Sequence, residues 1–357
     1  MQLEIIKIND KAKKPKPTDE STLGFGKYFS DHFFDMKYTA DKGWHDARIE
    51  PYRQLIIDPA ALVFHYAQEI FEGLKAYRGK DNGVYLFRAK DNFKRLNRSA
   101  QRLCMPEVDV DFVHDTLKKL ILLDQDWLPK SRGTSIYIRP TMIATEASIG
   151  VRVSSEYLFY IIVGPAGNYY PEGFSPVKIF VSDKYTRAAR GGLGEAKTGA
   201  NYAASLYPAK IAKDKGFSQV LWLDAHDMKN VEEVGTMNIF FRFKDELVTS
   251  PLDGTILAGI TRDSILRLTR DWGMNTVERK LGIDEIIDGL KTGRLIEVFG
   301  AGTAAVISPV GELFYKETSY KVGNGKVGEL SQKLYDEILG MQYGEKKDPY
   351  EWVERIG

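Results

Sequence analysis

Four glycines fall within nine residues at 191–199, inside the stretch RAARGGLGEAKTGANY that runs from Arg187 to Tyr202. A chain with glycine this dense beside a helix-forming run must bend sharply there, and without a Cβ its backbone amides can approach a ligand closely. Lys197 stands where the loop meets the amphipathic run, flanked by Ala196 and Thr198 rather than by the Glu/Lys mixture of a solvated face. Two readings are open at this point. Either Lys197 is one of many surface lysines beside a turn, or it is an amine held in a confined place, where its neutral form attacks aldehydes. The aldehyde cofactor that such an amine would meet is pyridoxal phosphate.

A chain of 357 residues fits two domains of roughly 150 to 180 residues each. Lys plus Arg number 50 against 49 for Asp plus Glu, so bulk charge offers nothing to nucleic acid or to an acidic membrane. No apolar run approaches membrane-spanning length, and the first residues hold no apolar signal core. The lone Cys104 excludes an internal disulfide and a thiolate metal cluster, and five scattered histidines without HExxH spacing argue against zinc. A cytoplasmic protein with no metal is expected. Aromatics at 12% suit apolar pockets or a large subunit contact.

Residues 1–24 read as a polar extended arm. Phe25 to Tyr38 brings six aromatics into fourteen residues, with bulky side chains on either side of polar ones as in a strand. Residues 49–57 and 62–66 read as a loop-and-strand passage broken at Asp58-Pro59, and Asp-Asn-Gly at 81–83 marks a turn between strands. The period then lengthens. Phe93, Leu96, Ala100 and Leu103 predict a helix that Pro106 stops, and 111–123 predicts a second. Strands follow at 135–140 and 157–164, so helices and strands are segregated and the first domain, 25–165, is α+β. Prolines and glycines mark 166–176 as a linker.

The second, larger domain is placed at 177–357. It is expected to hold strands at 177–181 and 219–224, a further strand entered through EEVGTMNIFFRF, and one at 295–299. Helices are expected at 201–215, with Ala204, Leu206 and Ile211 as apolar positions, from about Thr261 to Trp272, at 283–290 and at 330–341.

Glycine turns at 191–194, 254–259 and 300–302 each offer amides, and a helix N-terminus is a ready phosphate seat. None matches GxxxxGK[ST] or a GxGxxG followed by an acid, which excludes the common nucleotide folds and favours a smaller phosphorylated cofactor. Glu232 and Glu233 precede an apolar strand. Either both are ordinary residues at a strand entrance, or one points inward and requires a cationic partner such as a protonated pyridine nitrogen.

Taken together, FHYAQEIFEGLKAY, RLNRSAQRLCMP, SIYIRP, GEAKTGANYAASL, VLWLD and EEVGTMNIF resemble the large-type branched-chain amino-acid aminotransferases, fold-type IV pyridoxal-phosphate enzymes. The resemblance runs from about Phe25 to Pro309. It implies a mixed α/β, two-domain fold with cofactor and active site at the domain boundary, and a homodimer. Lys197 then matches the Schiff-base lysine, Tyr202 the tyrosine on the ring's 3-oxygen, and Glu233, not Glu232, the acid on the pyridine nitrogen. Thr236 of the same motif joins the cofactor-binding set. Phosphate contacts match Arg95, Arg187, the amides of Gly259, Ile260 and Thr261, and Thr303, which with Ala304 also faces the substrate α-carboxylate. Tyr66, Phe71 and Tyr137 resemble pocket residues around the aliphatic side chain, and Arg139 the receiver of glutamate's distal carboxylate. Some animal members carry a CxxC pair after the last turn; Ala305 and Ser308 stand there, so no thiol switch is expected.

The implied reaction is reversible amino transfer from leucine, isoleucine or valine to 2-oxoglutarate, in two half-reactions with ping-pong kinetics. A fold-type IV enzyme acting on D-amino acids, an aminodeoxychorismate lyase, and a non-catalytic binding protein are the alternatives.

Overall fold

The structure, a computed structural model, describes residues 1–167 and 173–357. The described residues fall into two compact units. One holds 1–167, Lys197–Gly199 and Gly340–Gly357; the other holds 173–196 and Ala200–Leu339. Residues 168–172 of the expected linker lie outside the described residues, and Ala166 still belongs to a strand.

In the first unit, β1 (Leu3–Ile5), β2 (His32–Thr39), β3 (Gly43–Pro51), β4 (Glu69–Phe71), β5 (Leu74–Arg78), β6 (Val84–Phe87), β7 (Ser135–Ala144) and β8 (Glu156–Ala166) share one sheet. Its order is β1-β3-β2-β8-β7-β5-β6, with β4 also on β7. The helices are α1 (Leu62–Tyr66), α2 (Ala89–Arg102) and α3 (Val110–Leu123). Strand β7 shows how the sheet is sorted. Ile136, Ile138 and Met142 are fully buried and share one core with Phe93, Leu96 and Ala100 of α2 and Val113, Leu117 and Leu120 of α3. Because side chains alternate along a strand, Tyr137 and Arg139 must stand on the face these helices leave uncovered. Asp109 starts α3 by accepting from the Asp111 and Phe112 amides.

Three expectations for this unit need correcting. The aromatic run is a strand only from His32, and Phe33 and Phe34 are buried inside this unit. Residues 62–66 form a helical turn rather than a strand, closed by Ala67 in the left-handed region with its N–H on the Val63 carbonyl. The N-terminal arm is tied down: β1 pairs with β3, the Ile8 amide donates to His32 Nε2 at 2.9 Å, and Lys14 donates to the Asp31 carboxylate and the Ser30 carbonyl.

The second unit contains β9 (Val177–Val181), β10 (Gln219–Leu223), β11 (Val231–Val234), β12 (Met237–Phe243), β13 (Leu247–Thr249), β14 (Thr276–Glu278), β15 (Leu295–Gly302), β16 (Val306–Tyr315) and β17 (Thr318–Lys321). Their order is β11-β10-β9-β16-β15-β12-β13-β14, and β11 also pairs with β12, so six strands close into a ring. The helices are α4 (Gly199–Asp214), α5 (Ile260–Asp271), α6 (Ile283–Thr292) and α7 (Glu329–Gln342). The single strand expected from EEVGTMNIFFRF is a hairpin, turned at Gly235 with φ +55°. Helix α4 buries Asn201, Ser205, Pro208 and Ala212, while Leu206 is 68% exposed, so the expected apolar face is the wrong one.

The chain then returns. Strand β18 (Val353–Arg355) pairs with β6, placing 340–357 in the first unit rather than in a second domain running to 357.

Glu297 on β15 fixes the start of α7. Its carboxylate accepts from the Leu330 and Ser331 amides and the Ser331 hydroxyl, each at 3.0 Å, and from Arg242 Nη1 at 2.7 Å. Glu297→Ala would leave buried helix-terminal donors and a cation without this acceptor, at a cost of about 2–4 kcal/mol. A lower midpoint in urea unfolding, with an unchanged slope, is the expected outcome.

Candidate active site

Lys197 is held by its main chain. Its amide donates to Ser99 Oγ on α2 at 2.9 Å, and its carbonyl accepts from the Phe71 amide of β4 at 3.0 Å. Two residues on, the Gly199 amide donates to the Glu69 carboxylate. Lys197 Nζ lies 5.0 Å from the centroid of the Phe71 ring. Beside it, Thr198 Oγ1 is buried without a hydrogen-bond partner.

The same unit carries the expected pocket residues. Arg139 stacks over Phe71 at 4.7 Å and over Tyr137 at 5.4 Å, and its Nη2 donates to the Tyr137 hydroxyl at 3.2 Å. Its Nε is buried without a hydrogen-bond partner. Phe71 therefore has two nitrogen-bearing side chains over its ring, Arg139 and Lys197, which come from distant positions in the sequence. Tyr66 on α1 directs its hydroxyl to the Ile149 carbonyl. Arg95 is fully buried against Glu72, with Nε on Oε1 and Nη2 on Oε2, both at 2.8 Å. That two-pronged contact fixes the guanidinium plane.

The second unit carries the acid and the helix terminus. Glu233 Oε1 accepts from Asn238 Nδ2 at 2.9 Å and from the Leu257 amide at 3.1 Å, while Oε2 lies 2.8 Å from Arg187 Nε. Arg187 Nη2 donates to the Gly194 and Thr255 carbonyls at 2.8 and 2.7 Å. The contacts that the structure gives Arg187 are thus with the acid and the glycine loop. Asn201 ties the same loop from α4, donating to the Leu193 and Ala196 carbonyls. Glu232 is also buried, and burial pushes its carboxyl up to about 6 against the pull of Thr255 and Arg187.

At α5, Gly259 occupies the N-cap with φ −66° and ψ 132°, and no side chain caps the helix. A Cβ there would collide with Asn238 Oδ1, the amide group that also holds Glu233. Tyr202 is half-buried on α4, and Thr303 and Ala304 are half-buried in the turn between β15 and β16. Thr236 is exposed in the β11–β12 turn. Asn238, Ser99, Glu72 and Glu69 were not foreseen; Asn238 is the lone polar residue among the buried ones of β12, which is the signal that points to it. Among the described residues, no group of three or more His, Cys, Asp and Glu is placed to hold a metal ion.

Residues 69–313 match a sequence model of the amino-transferase class IV family. Branched-chain-amino-acid aminotransferase 2 of Bacillus subtilis (strain 168) is 52% identical to this chain, over 96% of it and 94% of that protein. The branched-chain-amino-acid aminotransferase of Dictyostelium discoideum is 45% identical, over 96% and 94%. In fold, the chain is similar to the branched-chain amino acid aminotransferase of Escherichia coli, with TM-score 0.75 and 24% identity over 91% of this chain and 100% of that one. It is also similar to the branched-chain aminotransferase of Thermoproteus uzoniensis, with TM-score 0.77 and 22% identity over 91% and 100%. The mixed α/β fold of these structures is the one expected from the motifs. By the family model and by near full-length identity, the chain belongs to the class IV aminotransferases.

Proposed function

We propose that this protein is a branched-chain-amino-acid aminotransferase that moves the amino group of L-leucine, L-isoleucine or L-valine to 2-oxoglutarate, reversibly, with pyridoxal 5'-phosphate as its resident cofactor. The observation that carries the reading is Lys197, whose backbone is fixed on both sides of the peptide while its amine extends over Phe71. The substrate class is supported by relatives of that name, identical at about half of all positions along nearly the whole chain.

The donor set fits the cofactor. Glu233, oriented by Asn238, Leu257 and Arg187, is a carboxylate of the kind that pairs with a protonated pyridine nitrogen. The start of α5, uncapped by any side chain, suits a phosphate through the amides of Ile260 and Thr261 behind Gly259. Thr303, Thr236 and Arg95 belong to the same holding set, and Tyr202 offers a phenol to the ring oxygen. Arg187 is a phosphate contact of that set, with its Nε beside Glu233. When bound, pyridoxal phosphate supplies an aldehyde that takes up amines and a ring that stores the electron pair of a broken Cα–H bond.

The chain's own residues do the rest. Lys197 Nζ takes the proton from the amino acid's α-carbon and returns it on the other side of the transfer. Thr303 and Ala304 hold the α-carboxylate. Phe71, Tyr137 and Tyr66 bury the aliphatic side chain, which gains about 0.8 kcal/mol per methylene. Glutamate brings a second carboxylate that this apolar lining cannot leave unpaired. Arg139, stacked on the same two rings, receives it. One stored amine shared by two half-reactions gives ping-pong kinetics.

Self-association as a homodimer completes the proposal. Ile56, Phe64, Ile149 and Val151 of the first unit are 61–99% exposed, an apolar surface that a second copy would cover. Among the described residues no helix is long and apolar enough to cross a membrane, and the proposed location is the cytoplasm.

The test is the visible spectrum of the purified protein. A cofactor band that shifts with L-leucine alone and returns with 2-oxoglutarate is expected; a band indifferent to leucine would overturn the substrate assignment. Lys197→Ala should lower turnover roughly 10²- to 10⁴-fold, as loss of a general base does. Steady-state kinetics of Arg139→Ala should show KM for 2-oxoglutarate rising about 10- to 100-fold, the scale of one charge-assisted hydrogen bond, with KM for leucine changing far less.

A further inference from the structure

Strand β4 does more than carry Phe71. It places Glu69 on the same face, two residues earlier, and its three residues lie along the three-residue segment Lys197–Gly199. Phe71 takes the first residue of that segment by its backbone, and the Glu69 carboxylate takes the third through the Gly199 amide. The carboxylate fills the space a side chain would need, since a Cβ on Gly199 would collide with Glu69 Oε1. The backbone of Gly199 has no positive φ. Its glycine is therefore required by the carboxylate and not by a turn.

We propose that Glu69 is a positioning residue for Lys197: its carboxylate clamps the Gly199 amide, fixing the segment from which the lysine projects. The clamp rests on the reading of Lys197 as the attacking amine. A carboxylate at the first amides of α4 is also favourable to the helix dipole. Burial pushes the Glu69 carboxyl up, while the Gly199 amide and Arg139 pull it down, as a carboxylate with a fixed donor and a nearby cation requires. With Ser99 on the Lys197 amide, the segment has an anchor at each end. A lysine misplaced by an ångström loses its alignment with the bond it must serve.

The test compares Glu69→Ala, which deletes the acceptor, with Glu69→Gln, which keeps one and removes the charge. Hydrogen–deuterium exchange on the cofactor-free protein reads the Gly199 amide directly. Glu69→Ala should speed that exchange at least tenfold and lower kcat with leucine about tenfold, with KM within about twofold. Glu69→Gln should keep the protection and retain kcat within about threefold. Unchanged exchange or unchanged kcat in Glu69→Ala would overturn the proposal, and so would a glutamine variant as impaired as the alanine one. Gly199→Ala reaches the same point without touching Glu69. Alanine otherwise favours a helix, so faster exchange of the residue-199 amide and loss of kcat are expected only if its Cβ displaces the carboxylate. Should Lys197→Ala keep full turnover, the function assigned to the lysine fails, whereas the exchange measurement still judges the clamp.

Discussion

The alternation of side chains along β7 governs what the first unit can present. Ile136, Ile138 and Met142 are fully buried on one face, so Tyr137 and Arg139 are committed to the other. A slip of one residue would drive the guanidinium into the aliphatic core and expose the isoleucines. Pairing with β8, β5 and β4 makes such a slip costly on every side. The face on which Arg139 stands is thus set by burial of its neighbours.

The two units use polar contacts differently. Glu233 is held at both oxygens by an amide side chain, a backbone amide and a guanidinium, so the carboxylate itself is the fixed object. At Lys197 two of the contacts grip the peptide, Ser99 on the amide and Phe71 on the carbonyl.

Much of this was legible because long periods and specific motifs speak for themselves. The helices α2 and α3 follow from apolar spacing. Short or polar solutions were not legible. The five residues of α1 are bulky or β-branched and too few to show a helical period, so strand propensity misled. The buried face of α4 is lined by Asn201 and Ser205, which are inside because they hydrogen-bond to backbone carbonyls, a fact invisible to hydrophobicity. The contacts of Arg187 with Glu233 and two carbonyls likewise depend on loop geometry that no spacing encodes. Nor does a local pattern reveal which sheet edge a distant segment will reach, and so β18 was assigned to the wrong unit.

That last strand has a consequence for how the protein is made. Synthesis proceeds from the N-terminus, and domains tend to fold as units as they emerge. The first unit's sheet nevertheless has its β6 edge covered by β18, and its lysine-bearing segment comes from residues 197–199. During translation, β6 therefore waits with an unpaired row of amides and carbonyls until all of the second unit has left the ribosome. An open edge of that kind is what chaperones shield and what aggregating chains exploit.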